Sequence, residues 1–354
     1  MAKTVYVGMS GGVDSSVAAA LLVHQGYRVV GVFMKNWTKD LVGITCPWRQ
    51  DLTDAQSVAA KLGIPLKIYD FQKQYQRQVV DYMIREYKAG FTPNPDIMCN
   101  QEIKFKLFLA TALADGADMI ATGHYSRIRA NSRIGKAQLL MAKDKNKDQS
   151  YFLYRITQTA LAKTLFPVGN LTKIQVRKLA AKFGLPTADK PDSQGICFIG
   201  EVTLKEFLTH YIKSKPGPIT TIEGEVIGEH DGAAFYTIGQ RHGLKVGGGT
   251  PYYVIGKDMK TNTLFVTSDI AHEALHRDHF LLSDPHWIDE APKPTKIYQL
   301  RMRYRGNLID GKLKKTDGQY QIKLSEPERA VTPGQSAVVY SGEKILGGGI
   351  ITLK

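Results

Sequence analysis

The sequence predicts an α/β domain with a Rossmann-like parallel sheet and flanking helices, followed by a small β-rich central domain and a C-terminal β-barrel. Up to about residue 208, short runs of β-branched residues alternate with longer helical segments, which is the pattern of parallel strands joined by crossover helices. After Pro218, short strand-like segments alternate with glycine turns, which is typical of small β domains and barrels. These two patterns define the fold class.

The first region follows a strand-helix order from its beginning. Strands are predicted at residues 4–9, 27–34, 65–71 and 117–124, and helices at residues 13–26, 51–63 and 103–116. Further along, we expect an edge strand at residues 138–144, helices at residues 150–166, 173–184 and 202–212, and a loop at residues 190–200. We assign this region to one domain, residues 1–210, with a helical insertion near residues 150–190.

The second region begins at a break in the helical pattern, Lys215-Pro-Gly-Pro218. Strands are predicted within residues 219–230, 233–240, 251–268, 296–306, 318–326 and 335–354. Pro285, Pro292 and Pro294 interrupt this run, so we expect two β modules: a central domain at residues 211–278 and a barrel at residues 279–354.

The net charge predicts a polyanionic partner, and the start of the sequence predicts a cytoplasmic protein. A net charge of +14 attracts polyanions, and nucleic acid is the leading class. The chain lacks an apolar run near 18 residues and an export signal at its start, so we expect no membrane association. Three cysteines, at positions 46, 99 and 197, are too few for a disulfide scaffold, so reduced thiols are expected.

The loop GMSGGVDSS, residues 8–16, lies between the first predicted strand and helix. Glycines let backbone N–H groups approach an anion, and the following helix N-terminus contributes partial positive charge, so the loop fits phosphate. It lacks the lysine of a Walker A loop. A serine-capped tight turn is the alternative interpretation. The segment SGGVDSS resembles the pyrophosphate loop (PP-loop) of the ATP pyrophosphatases, which implies an adenine nucleotide alpha hydrolase-like fold.

Two cysteines lie in polar loops that could support chemistry. Cys99 follows Asn94-Pro-Asp96 next to a predicted helix start, where the helix dipole favours thiolate, and Asp96 is close enough to exchange a proton. Cys197 lies in DSQGICFIG, whose glycines leave the backbone open to a substrate. A buried cysteine that acts as a small hydrophobe is the alternative. We expect Cys46, which precedes Pro47, to be structural or incidental.

Together with ATGHYSR and NKDQSYFL, the loops GMSGGVDSS, NPDIMCN and DSQGICFIG make the chain similar to the bacterial tRNA-specific 2-thiouridylases, nearly end to end as far as PGQSAVVY. The resemblance implies that ATP adenylates the 2-oxygen of the wobble uridine in tRNA for Lys, Glu and Gln, and that sulfur then replaces this oxygen. It also implies Mg²⁺ as a cofactor and, as partner, a cysteine desulfurase or a sulfur-relay protein. We expect a monomer.

The resemblance also implies roles for individual residues. Cys197 would carry a persulfide, Cys99 would be its partner thiol, and Asp96 would be an acid or base. The nucleotide would be held by Gly8, Met9, Ser10, Gly11, Gly12, Val13, Asp14, Ser15, Met34 and Gly123, with Asp14 near the metal. Contacts to tRNA would come from Asn94, Pro95, Asp96, His124, Lys147, Asp148, Gln149, Arg303, Tyr304 and Gln335.

The tRNA contacts in the barrel have support from charge as well. The segment Arg301 to Lys315 has six basic residues and one acidic residue, with Tyr304 among them, which fits a strand face that meets phosphates and stacks on a base. A solvated charged strand is the alternative.

Three other functions fit part of the pattern. An amide-forming PP-loop ligase would use the first domain, but would not need two loop cysteines or a basic β-rich C-terminus. An iron–sulfur tRNA thiolase could use Cys99, Cys197 and Asp96 as ligands, although closely spaced cysteines are missing. An RNA-binding protein that keeps only a nucleotide site is the third.

Overall fold

A computed structural model describes residues 2–40, 46–131, 135–192, 203–244, 246–247 and 249–353. Cys197 and its loop therefore lie outside the described residues. The chain forms two compact units. The first comprises Met1–Val80, Pro95–Thr203 and Ser341–Leu346, and the second comprises Asp81–Asn94, Leu204–Tyr340 and Gly347–Lys354.

The first unit is built on a parallel sheet. Its strands are β1 (Thr4–Gly8), β2 (Arg28–Lys35), β3 (Leu66–Asp70), β4 (Met119–Thr122) and β7 (Thr164–Leu165). β5 (Arg127–Asn131) and β6 (Lys136–Leu140) form an antiparallel hairpin that is not part of this parallel sheet. The order in the sheet is β3-β2-β1-β4-β7. β1 is central, with Tyr6 paired to Val30 on one side and to Ile120 on the other. The predicted parallel α/β sheet is confirmed.

Helices flank this sheet and are joined to its strands in the predicted alternation. They are α1 (Val13–His24), α2 (Trp48–Leu62), α3 (Gln72–Tyr75), α5 (Pro95–Met98), α6 (Leu109–Ala114), α7 (Gln158–Ala162) and α8 (Lys173–Lys182), with π-helical segments at Gln76–Val80 and Cys99–Phe108. Two further helices, α4 (Asp81–Lys88) and α9 (Leu204–Thr209), belong to the second unit. Residues 17–20 of α1 are fully buried, and α8 packs on α1 through Val176 and Ala180. Small side chains on α1 allow this close packing.

The segment at residues 150–166 differs from the single predicted helix. It forms a 3₁₀ turn at Ser150–Leu153, then the short helix α7, and then β7 at the edge of the sheet. The Thr157 hydroxyl accepts a hydrogen bond from the Ala160 N–H and so starts a new helix. Ile120 of β4 pairs with Thr164, so pairing with the sheet outweighs helical propensity at the end of this segment.

The second unit contains two β structures. β8 (Gly217–Thr221), β9 (Val226–His230), β10 (Tyr253–Asp258) and β11 (Thr263–Thr267) form a sheet in the order β10-β11-β8-β9. β12 (His276–Trp287), β13 (Tyr298–Arg301), β14 (Ile309–Thr316), β15 (Gln319–Arg329), β16 (Ser336–Ser341) and β17 (Lys344–Thr352) follow in the order β12-β15-β14-β13-β16-β17. Pairing of β12 with β17 closes these six strands into the predicted barrel.

Two details of the second unit were wrong in the sequence prediction. Residues 233–240 contain a short 3₁₀ turn, Ala233–Phe235, where a strand was expected. Pro285 lies inside β12 and does not interrupt it, because the register shifts between Ser283 and His286. Proline fits such a bulge, where the ladder of hydrogen bonds is locally broken.

In the part of the chain that the structure describes, every helix is too short or too polar to span a membrane.

Candidate nucleotide and thiol site

The loop after β1 has the geometry of an anion-binding loop. Gly12 is the N-cap of α1, so the first N–H groups of the helix face the carboxyl end of the sheet. Gly11 has a φ of +73°, and a methyl group added there would lie 2.4 Å from the carbonyl oxygen of Asp51. Only glycine fits this position, because any side chain would be both strained and in collision.

Serine hydroxyls brace the loop from within. The Ser15 hydroxyl donates to the Gly12 carbonyl at 3.0 Å and accepts from the Ser10 N–H at 3.2 Å. The Ser16 hydroxyl donates to the same Gly12 carbonyl at 2.8 Å. The loop is thus held in shape by its own hydrogen bonds, which lowers the entropy lost when an anion binds.

Two other predicted nucleotide contacts are core residues. Met9 and Val13 have buried side chains, and the Met9 N–H donates to the Val32 carbonyl at 2.8 Å. Val13 can therefore bind an anion only through its backbone N–H, whereas Met9 can contact a nucleotide only as an acceptor, through its carbonyl.

The structure brings Gly8, Met34 and Gly123 to the same edge of the sheet. A methyl group added at Gly8 would lie 3.0 Å from the Met34 methyl, and one added at Gly123 would lie 2.6 Å from the Ser15 nitrogen. β1, β2 and β4 are neighbours in the sheet, so their carboxyl ends meet there. Residues far apart in sequence share one site because their strands are neighbours in the sheet.

Asp14, in the first turn of α1, is tied to two residues from distant parts of the chain. Its carboxylate accepts a hydrogen bond from the Tyr125 hydroxyl at 2.8 Å. The Lys173 ammonium lies 2.7 Å from one carboxylate oxygen and 2.9 Å from the other. Burial first, and the Asp14 charge second, raise the pKa of Tyr125, so its hydroxyl stays protonated and donates.

Asp14 and Asp192 are the two carboxylates of a charged cluster that also contains Lys147, Lys173 and Arg177. Lys173 lies 2.7 Å from Asp192, Lys147 lies 2.6 Å from it, and Arg177 lies 2.8 Å from it. Burial would raise the pKa of Asp192, but the hydrogen bonds from Lys147 and Lys173 outweigh burial and lower this pKa to about 2. Asp192 is therefore ionised at neutral pH.

Four residues at this site were not predicted from the sequence: Tyr125, Lys173, Arg177 and Asp192. Tyr125 follows the predicted Gly123-His124 pair, and a polar residue at the end of a strand is a weak signal for a site. Lys173 and Arg177 lie on a helix whose sequence looks like an ordinary charged surface. Only the packing of α8 on α1 brings these cations to the loop.

Asp96 and Cys99 lie in consecutive turns of one helical segment. α5 begins at Pro95, so Cys99 lies one turn inside the helix, whereas the sequence suggested a loop before the helix. Pro95 can start a helix because its missing N–H would have no partner there. Cys99 is fully buried, and the next residue, Asn100, donates to the Phe152 carbonyl at 3.2 Å. The predicted pairing of Cys99 with Cys197 stays a prediction.

Cys46 is also buried, and its thiol contacts the Trp37 carbonyl at 3.5 Å. Burial raises the pKa of this thiol. A thiol in this state is a poor nucleophile, which supports a structural role.

His124 lies among aromatic rings at the end of β4. Its Nδ1 is 2.8 Å from the Thr122 hydroxyl, and its Nε2 is 3.4 Å from the Lys104 ammonium. The rings of Phe105 and Phe166 lie 5.8 and 6.1 Å away. Burial, and then the Lys104 charge, hold the pKa of His124 well below its ordinary value. This imidazole is therefore neutral at pH 7 and suits hydrogen bonding rather than ion pairing.

The predicted tRNA contacts at residues 147–149 all have partners inside the protein. Lys147 pairs with Asp192. Asp148 is buried and accepts from the Ala142 N–H at 2.8 Å. Gln149 and Tyr125 exchange two hydrogen bonds, at 2.8 and 3.0 Å. These residues fix the local backbone, and a role for them in RNA binding stays a prediction.

In the second unit, Arg303 and Tyr304 lie in the connection between β13 and β14. Arg303 is exposed and pairs with Glu328 at 3.2 Å, and Arg305 lies over the Tyr304 ring at 5.3 Å. Arg301, by contrast, is buried against Tyr340. The expected basic strand face is therefore divided, because β13 ends at the buried Arg301, and Arg303 and Arg305 lie in the connection that follows it.

Gln335 holds the segment before the Asn94-Pro-Asp96 motif. Its side-chain amide donates to the Thr92 carbonyl at 2.9 Å, and the Thr92 N–H donates to the Pro333 carbonyl at 3.0 Å. Gln335 thus fixes the backbone two residues before Asn94.

A metal site made by the protein alone does not fit here. Among the described residues, no group of three or more His, Cys, Asp or Glu side chains could hold a metal ion. The oxygens of Asp14, the carboxylate expected near Mg²⁺, already contact Lys173 and Tyr125.

Three family models match the chain in succession. They are described as a tRNA methyl transferase HUP domain at residues 3–201, a tRNA methyl transferase PRC-barrel domain at residues 205–268 and an aminomethyltransferase beta-barrel domain at residues 277–351. The first covers more than half of the chain.

Relatives similar over the whole chain carry the name tRNA-specific 2-thiouridylase. The tRNA-specific 2-thiouridylase MnmA of Methylobacillus flagellatus is 50% identical and covers 99% of this chain and of its own. Those of Nitrosomonas eutropha and Idiomarina loihiensis are also 50% identical and cover 98% and 99% of this chain, and 98% and 96% of their own. The chain belongs to the tRNA-specific 2-thiouridylase family.

Proposed function

We propose that the protein is a tRNA-uridine 2-sulfurtransferase that makes 2-thiouridine at the wobble position of tRNA for Lys, Glu and Gln. Half of its residues are identical to those of enzymes named tRNA-specific 2-thiouridylase, over nearly the full length of both chains. That similarity is the observation on which the proposal rests. The phosphate loop and the net charge of +14 fit the ATP and RNA substrates that such a reaction needs.

ATP is proposed as the activating substrate. The 2-oxygen of uridine is a poor leaving group, so attack of this oxygen on the α-phosphate, with loss of pyrophosphate, turns it into the oxygen of AMP. The N–H groups of Gly11, Gly12 and Val13 would hold the departing pyrophosphate at the start of α1. The Met34 and Gly123 backbones would flank the base and ribose.

Sulfur would arrive as a persulfide on Cys197, a role that rests on the sequence. The terminal persulfide sulfur attacks C2 of the uridine, and AMP leaves with the oxygen. Cys99 would then attack the Cys197 sulfur, which releases thiouridine and leaves a Cys99–Cys197 disulfide that a thiol reductant reopens. Cys99 could instead attack first and release sulfide as the nucleophile. Asp96, one helical turn before Cys99, would exchange the proton.

The tRNA would contact His124, residues 147–149 and the Asn94-Pro-Asp96 segment, in which α5 begins at Pro95. The 2-oxygen of a stacked anticodon base is shielded, so the uridine must leave the stack to react. We propose that residues 1–210 form the catalytic domain and that the barrel at residues 279–354 contributes Arg303, Tyr304 and Gln335 to tRNA binding. A cysteine desulfurase or relay protein would reload Cys197, and the enzyme would act as a monomer in the cytoplasm.

Mg²⁺ is a further expectation of the family resemblance. The residues described around Asp14 do not offer it a site of their own, so we assign it no step. Mg²⁺ commonly binds through substrate phosphates with only one or two carboxylates.

The decisive experiment incubates the full chain with ATP, Mg²⁺, a desulfurase with cysteine, and unmodified glutamate tRNA, followed by nucleoside analysis. We expect 2-thiouridine and equal amounts of AMP and pyrophosphate. A tRNA with cytidine at the wobble position is the matched control. Pyrophosphate exchange that responds to a small amino acid and not to tRNA would instead indicate an amide ligase.

A further inference from the structure

The phosphate loop has no lysine in its own sequence, but a lysine from another element reaches its helix. Lys173, the first residue of α8, places its ammonium 2.7 Å from Asp14 in the first turn of α1. A phosphate bound at this helix N-terminus needs a cation to offset its charge. The structure therefore contains a candidate for the missing lysine.

Lys173 is held in place by the start of its helix. Thr172 and Gln175 form a reciprocal capping box, in which the Thr172 hydroxyl accepts from the Gln175 N–H at 3.3 Å and the Gln175 side chain accepts from the Thr172 N–H at 2.9 Å. The Lys173 N–H donates to Asp144 at 2.9 Å. The backbone of Lys173 is thus fixed, and its flexible side chain can change partners without moving α8.

The ion pairs of Lys173 are exchangeable. Asp192 keeps Lys147 and Arg177 as partners if Lys173 leaves it. Asp14 keeps the hydrogen bond from Tyr125. A polyphosphate offers more negative charge and more acceptor oxygens than these two carboxylates, so it competes well for the ammonium.

We propose that Lys173 is the phosphate-binding lysine of this site, which leaves Asp14 and Asp192 when ATP binds and contacts the β- and γ-phosphates. It would then neutralise charge on the pyrophosphate as its bond to the α-phosphate breaks. This inference rests on the proposed use of ATP. It assigns to α8 the task that a Walker A loop performs with a lysine of its own.

The test measures binding of pyrophosphate, ATP and AMP to the full chain by calorimetry, without tRNA. We expect Lys173→Met to weaken pyrophosphate and ATP binding by about 10- to 100-fold, as for the loss of a charge-assisted hydrogen bond, and to change AMP binding by less than about threefold. Lys173→Arg should retain part of the affinity. Lys178→Met, an exposed residue of the same helix, is the matched control and should bind all three ligands like the wild type.

Two results would overturn the inference. One is pyrophosphate affinity of Lys173→Met within about threefold of the wild type, in a variant whose thermal melting shows that it is folded. The other is full recovery of that affinity in the double variant Lys173→Met/Asp14→Asn, since Lys173 would then act only by screening the Asp14 charge. A wild-type protein that binds pyrophosphate through Lys173 but does not thiolate tRNA would refute the proposed function and leave this inference standing.

Discussion

The Tyr125 hydroxyl donates a hydrogen bond to the Asp14 carboxylate at 2.8 Å, across 111 positions of sequence. Tyr125 follows β4 and Asp14 lies in the helix that follows β1, and these two strands are neighbours in the sheet. The bond therefore ties together two of the loops that form the candidate nucleotide site. Burial and the Asp14 charge raise the pKa of Tyr125, so the bond persists through the whole neutral range.

Replacement of Tyr125 by Phe should lower the free energy of unfolding by about 1–3 kcal/mol, because a hydrogen bond to a charged group is lost while the ring still packs. Urea unfolding measures this change. Tyr27→Phe is the control, since its ring packs against the same core cluster, and we expect a change within about 0.5 kcal/mol. Equal effects of the two substitutions would show that the Tyr125–Asp14 bond adds nothing to stability.

Gly11→Ala should abolish the loop geometry. The added methyl would meet the Asp51 carbonyl at 2.4 Å in a backbone with a φ of +73°, so we expect ATP affinity to fall at least about tenfold. Gly26→Ala is the matched control, because Gly26 follows the other end of α1 with a φ of +82° and open space around it. It should lower stability by about 1 kcal/mol through backbone strain alone and leave ATP binding intact. Nucleotide titration that finds the same loss in both variants would contradict this explanation.

His124 should remain neutral below the usual pH range of histidine, because burial and the Lys104 charge lower its pKa. The unfolded chain takes up a proton near pH 6.5, which the folded protein resists, so this residue lowers stability as the pH falls below about 6.5. NMR of labelled histidine should show the His124 resonance in its neutral position at pH 6, with His124→Gln to assign it. A resonance that titrates at the ordinary pKa would show that the ring is solvated.

Cys197→Ser should abolish thiolation and leave ATP binding unchanged, since only the persulfide is removed. Cys99→Ser should likewise abolish release of the thiolated product, while Cys46→Ser, at a buried thiol outside the proposed chemistry, should keep activity. Mass spectrometry after turnover should find a Cys99–Cys197 disulfide. An active Cys197→Ser enzyme would rule out the persulfide role, and an active Cys99→Ser enzyme without the disulfide would rule out the resolving role.

Arg303→Ala should weaken tRNA binding. The slope of the logarithm of the binding constant against the logarithm of the salt concentration should become shallower by about one unit, as expected for one lost phosphate contact. Arg303 is exposed, so the loss of its pair with Glu328 should cost little stability. Filter binding at several salt concentrations gives the slope. Lys178→Ala removes an exposed positive charge from α8 and serves as the control. An unchanged slope in the Arg303 variant would exclude this contact.

The sequence was most informative where structure is decided locally. The period of the apolar residues predicted β1, α1, β2 and β3 in order, because each element shows its core-facing pattern within its own residues. The helix at residues 150–166 was wrong because its end joins a sheet edge, and no local pattern reports a pairing partner. Pro285 was misinterpreted for the same reason, since a bulge is a property of two strands.

The members of the charged cluster at the site likewise could not all be predicted from local sequence patterns. Asp14 was identified through its loop, but Lys173 and Tyr125 belong to elements whose sequences look unremarkable. Hydrogen bonds and ion pairs between distant residues depend on which strands are neighbours and which helix packs on which. A single sequence does not contain that information in any one segment.

The sequence by itself determined the types and order of most elements, the phosphate loop and the family to which the chain is similar, because propensity, periodicity and loop chemistry act over a few residues. Only the tertiary structure decided which side chains meet at that loop. The position of β4 beside β1 brings Tyr125 to Asp14, and the packing of α8 on α1 brings Lys173. The physical reason is that a contact between distant residues forms only when the whole sheet and its helices are assembled.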